Sequence, residues 1–180
     1  MSLWQTILSN LPEVEGPTQK TLSFREKLKW TGIALVLFFI LGLLPLFGLG
    51  SNALERFETL SIILGAEFGS IISLGIGPIV TASIVLQLLN GSGIWKFDLA
   101  TPEGKKRFQG TQKFLAFFFI LFEAAIYIFM GGLSPDGFAG VVDKAHPLYM
   151  PLQFILIFQL FLGGMLILFL DEVVSKWGFG

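Results

Sequence analysis

With 180 residues, 53% of them hydrophobic and 14% charged, the chain is too apolar for a soluble domain of this length and reads as an integral membrane protein. Its formal net charge of -1 says little, because what orients a membrane protein is where its Lys and Arg residues fall. The absence of cysteine removes disulfides, thiolate metal sites and thiol nucleophiles, and one histidine with no GxxxxGK loop leaves no catalytic constellation, so neither an enzyme nor a bound cofactor is expected.

Residues 3–11, LWQTILSNL, put Leu3, Trp4, Ile7, Leu8 and Leu11 on one helical face, and Pro12 stops the pattern. This predicts a short interfacial helix lying on the bilayer or on neighbouring spans, with docking to a partner as the alternative. Nothing in residues 1–29 has the form of a cleavable signal peptide, so they are expected to be a cytoplasmic interfacial segment and the first span its own insertion signal. Ser23, followed three residues later by Glu26, has the spacing of a capping box. The first span is then expected over 30–49, from Trp30 to Leu49, with Pro45 near its far end.

Residues 53–68, ALERFETLSIILGAEF, carry Glu55, Arg56, Glu58 and Glu67 and are too short and too charged to cross, so a short re-entrant helix is expected there. The next stretch, from Phe68 to Trp95, is uncharged but interrupted near its start by Gly69, Gly75, Gly77 and Pro78. Non-helical backbone at membrane depth is tolerated only against protein or a water-filled cavity, so a broken second span over 70–89 suggests a pathway. Within it Ile76, Val80, Ser83 and Gln87 share one helical face, and Thr81 lies about 100° round from Val80. Periodicity alone leaves ordinary helix packing and a pore lining both open.

The loop over 90–113 holds Lys96, Lys105, Lys106, Arg107 and Lys113 and is expected in the cytoplasm, where anchoring explains the charge more simply than phosphate binding does. Thr101, Pro102 and Glu103 supply an N-cap, a first-turn proline and an early carboxylate for a helix running into a third span over 114–133. Glu123, near the middle of that span, is either a gate or relay residue or a hydrogen-bonded packing carboxylate. The loop over 134–147 begins with the turn SPDG and is expected outside, with His146 in a surface role. A fourth span over 148–170, in which Gly163 and Gly164 offer a close helix contact, leads to a cytoplasmic tail over 171–180. This topology leaves only Arg56 and Lys144 of the twelve cations outside and puts Trp30, Trp95 and Trp177 at cytoplasmic span ends.

The segments FREKLKWTGI at 24–33, LGIGPIVTASIVLQLL at 74–89, FQGTQK at 108–113 and LDEVVSKWGFG at 170–180 resemble the archaeal and eukaryotic branch of the SecY family, the main subunit of the Sec protein-conducting channel. The family fold has ten spans in two halves around an hourglass pore. The resemblance covers the first four, so the expected fold is all-α, four membrane spans plus a plug-like helix, belonging to a longer subunit.

That resemblance implies roles for particular residues. Glu58, Thr59, Leu60, Ser61, Ile62, Ile63, Leu64, Gly65, Ala66, Glu67 and Phe68 match the family's plug, which seals the pore from outside. Ile76 and Val80 match its apolar pore ring, and Thr81 and Glu123 match polar positions of the lateral gate, with Gln87 further along the same span. The implied partners are a SecE-type single-span subunit, a small third (beta) subunit, the ribosome with its nascent chain, signal sequences and membrane lipid, with no direct nucleic-acid specificity. The implied location is the cell membrane with the N-terminus in the cytoplasm, or the endoplasmic reticulum in a eukaryote. The rival readings are a small solute or ion transporter coupled through Glu123 and a non-conducting membrane scaffold subunit.

Overall fold

The computed structural model describes residues 2–50, 69–140 and 142–179. The stretch expected to be plug-like, Glu58 to Phe68, lies outside the described residues. Among the described residues the regular structure is helical, apart from one isolated bridge between Pro45 and Ser70.

Helix α1, Leu3–Ser9, starts on a reciprocal cap: the Ser2 hydroxyl accepts the Gln5 N–H, and the Gln5 side chain accepts the Ser2 N–H. Part of its apolar face rests on the chain itself, with Leu3 and Ile7 left exposed. Trp4 meets Phe114 edge-on at 5.1 Å between centroids and lies 6.4 Å from Trp95, while Leu8 covers Gly110. Helix α2, Phe24–Leu43, begins where the Ser23 hydroxyl accepts the Glu26 N–H at 3.4 Å. It ends before Pro45, whose ring excludes the helical conformation from Leu44 (φ -82°, ψ 111°).

Helix α3, Gly77–Gly91, takes Pro78 in its first turn and stops in Asn90, Gly91 and Ser92. Helix α4, Pro102–Phe129, is capped by Thr101, whose hydroxyl accepts the Gly104 N–H at 3.1 Å, and runs without a break, as the Thr-Pro-Glu signal predicts. A 3-10 turn at Phe138–Gly140 follows, and helix α5, Tyr149–Trp177, closes the order.

Helix α4 is the centre of the packing, with α1, α3 and α5 against it, while α2 leans on α5. Ala116, Ile120, Ala124 and Ile128 recur at every fourth residue along α4 and are buried. Leu156, Leu160, Gly164 and Leu168 answer them from α5. Gly164 fits against Ile120, so the close helix contact expected of it is made with α4. Among the described residues nothing covers the other side of α2: Leu35, Val36, Phe38, Phe39 and Ile40 are exposed, a surface suited to hydrocarbon.

By length and composition, α4 and α5 are the two helices among the described residues able to cross a membrane, and α3 is a shorter apolar helix. Four crossings were expected. Helix α2 falls short of that criterion because Arg25, Glu26, Lys27 and Lys29 occupy its first turns, leaving Trp30 to Leu43 apolar.

One end of the bundle is tied by polar contacts. Lys113 of α4 and Glu172 of α5 form a largely buried ion pair, and the second Glu172 oxygen accepts the Val14 N–H at 2.7 Å. Lys176 donates to the Val14 carbonyl, and the Trp177 indole donates to the Glu15 carbonyl at 2.7 Å. Trp30 lies 5.3 Å from Trp177, so the starts of α2 and α4 meet the end of α5 on the side that carries most of the Lys and Arg.

Candidate functional site

At the opposite end, residues 44–50 and 69–76 form two non-helical arms that pair with each other. The Leu46 N–H bonds to the Gly69 carbonyl at 2.9 Å and the Ile71 N–H to the Leu44 carbonyl at 3.0 Å, on either side of the Pro45–Ser70 bridge. The Ser73 hydroxyl donates to the Ser70 carbonyl at 2.6 Å and accepts the Gly69 N–H at 2.9 Å. Gly69 (φ 86°) and Gly75 (φ 58°) take left-handed conformations that a side chain would strain, which is why the interruption is rich in glycine. These bonds satisfy main-chain groups that could not otherwise rest at membrane depth.

Helix α3 rises from the second arm with two distinct faces. Pro78, Ala82 and Leu86 are buried against the bundle. Ile76, which precedes the first helical residue, is 58% exposed, Val80 is 44% exposed and Gln87 is exposed. The Gln87 amide donates to the Ser83 hydroxyl at 2.9 Å, so the polar residues on this side satisfy one another along the helix. An apolar pair at the start of α3 is thus presented away from α4, with polar groups two turns further on.

Thr81 sits on the flank of α3 that meets α4. Its hydroxyl donates to the Gly77 carbonyl at 2.8 Å and faces the Glu123 carboxyl. A methyl group at Gly77 would lie 3.5 Å from a Glu123 oxygen. Glu123 is half-buried and looks onto the first turn of α3. Glu123 thus stands at the contact between α3 and α4, beside Gly77 and Thr81. The structure therefore brings Ile76, Val80, Thr81 and Glu123 to one end of α3 and leaves Gln87 apart, about 9 to 16 Å further along by the helical rise.

Gln159 escaped the sequence reading, and Gly163, expected to make a close helix contact, meets the second arm instead. Gln159 of α5 bonds both main-chain groups of Phe47, and Gly163 lies against the Ile71 carbonyl with no space for a side chain. The signal for Gln159 was an amide in the middle of an apolar stretch. His146 lies in the loop before α5, where its Nδ1 accepts the Leu148 N–H at 3.2 Å. Among the described residues no three His, Cys, Asp or Glu side chains gather to hold a metal.

Comparison with known proteins agrees with this layout. The family model described as SecY matches residues 70–180. The chain is 50% identical over 177 residues to the protein translocase subunit SecY of Methanothermobacter thermautotrophicus, covering 98% of this chain and 36% of that protein. It is 45% identical over 177 residues to that of Archaeoglobus fulgidus, covering 98% and 35%. It therefore spans little more than a third of the length of these relatives. Among solved structures, a protein-conducting channel superposes with a TM-score of 0.76 at 40% identity over 99% of this chain and 38% of that one. A SecY protein whose plug domain is described as stabilising the closed channel and maintaining a membrane seal gives 0.77 at 39%, over 99% and 37%. The channel of a canine ribosome–channel complex from the endoplasmic reticulum gives 0.76 at 40%, over 99% and 38%.

Proposed function

The chain belongs to the SecY family, and on that footing we propose that it supplies the first four membrane crossings, α2 to α5, of the central subunit of a protein-conducting channel. Such a channel moves unfolded polypeptides across a membrane and releases apolar segments sideways into it. The observation that carries this reading is the placement of Ile76 and Val80 as exposed apolar side chains on the face of α3 turned from α4. In the assembled subunit that face lines the pore, and Ile76 and Val80 contribute to its ring.

The chemistry suits the task. Side chains without hydrogen-bonding groups give an extended polypeptide nothing to hold it, and a narrow apolar constriction resists wetting when closed. Thr81 and Glu123, with Gln87 further along, occupy the gate edge through which an apolar signal helix partitions into lipid. The segment Glu58 to Phe68 acts as the plug, a reading supported by the pairing of its two flanking arms and by the plug domain described for a similar channel. The subunit works with a SecE-type single-span protein, a small third subunit and the translating ribosome, the last supported by the similarity to a ribosome-bound channel. It sits in the cell membrane, or in the endoplasmic reticulum of a eukaryote, with its N-terminus and the tied end of the bundle in the cytoplasm. It is not an enzyme, and the driving force comes from the partner that feeds the chain.

Because this stretch contains no cysteine, a single Ile76→Cys substitution can report the ring directly. In the complete channel holding a stalled translocation intermediate, the introduced thiol is expected to crosslink to the passing polypeptide. A thiol placed at exposed Leu35 on α2 is expected not to. Equal crosslinking at both positions, or none at Ile76, overturns the pore reading.

A further inference from the structure

Gln159 lies at the middle of the apolar stretch 148–170, where a carboxamide turned to hydrocarbon is costly, and its polar atoms are committed to Phe47. Its Oε1 accepts the Phe47 N–H at 2.8 Å and its Nε2 donates to the Phe47 carbonyl at 2.7 Å. The remaining Nε2 hydrogen has the Ile155 carbonyl of its own helix at 3.4 Å. The side chain thus pairs with the main chain as a neighbouring strand would. Phe47 adjoins Leu46, which is bonded to Gly69, and the same ladder bonds Leu44 to Ile71. One turn beyond Gln159, Gly163 brings the α5 backbone against the Ile71 carbonyl. Helix α5 therefore holds both arms, one through an amide and one through the lack of a side chain, and the second arm reaches Ile76 five residues later.

We propose that Gln159 is a positioning residue for the pore, a role that rests on reading Ile76 as part of the ring. Its two bonds set the height of the paired arms against α5, and through the short arm from Ile71 they set where Ile76 stands at the constriction. Without them the Phe47 N–H and carbonyl are left unpaired in a low-dielectric setting, water enters the seat to satisfy them, and the arm carrying Ile76 moves.

The test uses the complete channel complex with Gln159→Met, which keeps the length and removes both bonds, and Gln159→Asn, which keeps the amide but is one methylene too short to make both. Exposed Phe158→Leu on the same helix is the control. Resting ion conductance per assembled channel is expected to rise roughly threefold or more in both Gln159 variants, the population change given by losing one intramembrane hydrogen bond of average strength, and to stay unchanged in the control. If Gln159→Met does not assemble, Gln159→Asn decides. Unchanged conductance per channel in the variants that assemble, including the case where only the yield of complex falls, overturns the proposal. The Ile76→Cys crosslink in the otherwise unaltered channel separates the two readings: its absence removes the pore ring, whereas its presence with unchanged conductance removes only the role of Gln159.

Discussion

The Thr81 hydroxyl on α3 donates to the Gly77 carbonyl of its own helix at 2.8 Å and faces the Glu123 carboxyl of α4, which lies against Gly77. Glu123→Gln keeps a donor for the Thr81 oxygen and is expected to leave the α3–α4 contact nearly intact. Glu123→Leu strands nothing, because Thr81 retains Gly77, but it deletes the link, worth about 0.6–2 kcal/mol for an intramembrane hydrogen bond. In the complete channel the leucine variant should shift the gate toward opening by about 3-fold to 30-fold, read from crosslinking across the seam with and without a signal sequence. Identical crosslinking for wild type and both variants in both conditions would remove Glu123 from the gate.

Replacing Ile76 and Val80 together with Asn or Gly is expected to raise closed-state ion conductance and to relax the stringency with which signal sequences open the channel. Asn brings hydrogen-bonding groups that recruit water to the constriction, and Gly widens it. Either substitution should leave the fold intact, since both side chains are exposed and make no part of the buried core. Planar-bilayer currents equal to wild type would count against the ring.

The two adjacent glycines of α5 should differ in their response to alanine. A Cβ at Gly163 would fall on the Ile71 carbonyl oxygen, a main-chain atom that cannot yield without moving the arm, whereas one at Gly164 would meet the buried Ile120 side chain, which yields only by a small shift of α4 against α5. Gly164→Ala is expected to cost about 1–3 kcal/mol as ordinary overpacking, and Gly163→Ala more than that. Thermal inactivation of the detergent-solubilised complex checks the order, and a reversed ranking would contradict the packing described.

At the tied end of the bundle, Lys113 and Glu172 have side chains only 11% and 14% exposed, and Glu172 also accepts the Val14 N–H. Removing one partner leaves a poorly hydrated charge, so Lys113→Met is expected to destabilise by about 3–5 kcal/mol. Adding Glu172→Leu should recover part of that loss but not all of it, because the Val14 N–H then lacks its acceptor at about 1–3 kcal/mol. A double-mutant cycle on complex stability measures the coupling. Strictly additive losses would show that the pair does not interact.

Much of the layout was legible in the chain. The Thr101-Pro102-Glu103 start of α4, the Ser23 cap of α2, the glycine-rich interruption before α3 and the presentation of Ile76 and Val80 on one face all follow from local chemistry, because caps, turns and helical periodicity act over a few residues. What escaped was contact between distant segments. Gln159 could be noticed as a polar residue in an apolar run, yet nothing in its neighbourhood names Phe47, which is 112 positions away. Pro45 was visible, but its consequence, an arm paired with residues 69–71, depends on a partner strand that the chain reaches only after a long excursion.

By itself, then, the sequence determined that this is a membrane protein, where its charges cluster along the chain, where the two long apolar helices α4 and α5 lie and which residues share a face, since each of these depends on composition or on spacing along one helix. Only the tertiary structure decided which face of α3 is buried against the bundle, that Glu123 meets Thr81 and Gly77, and that α5 seats the two arms with an amide and a bare glycine. The reason is physical: in a uniformly apolar chain almost any helix face can pack, and the choice falls to the few polar groups and close backbone approaches that must be satisfied at once across the bundle.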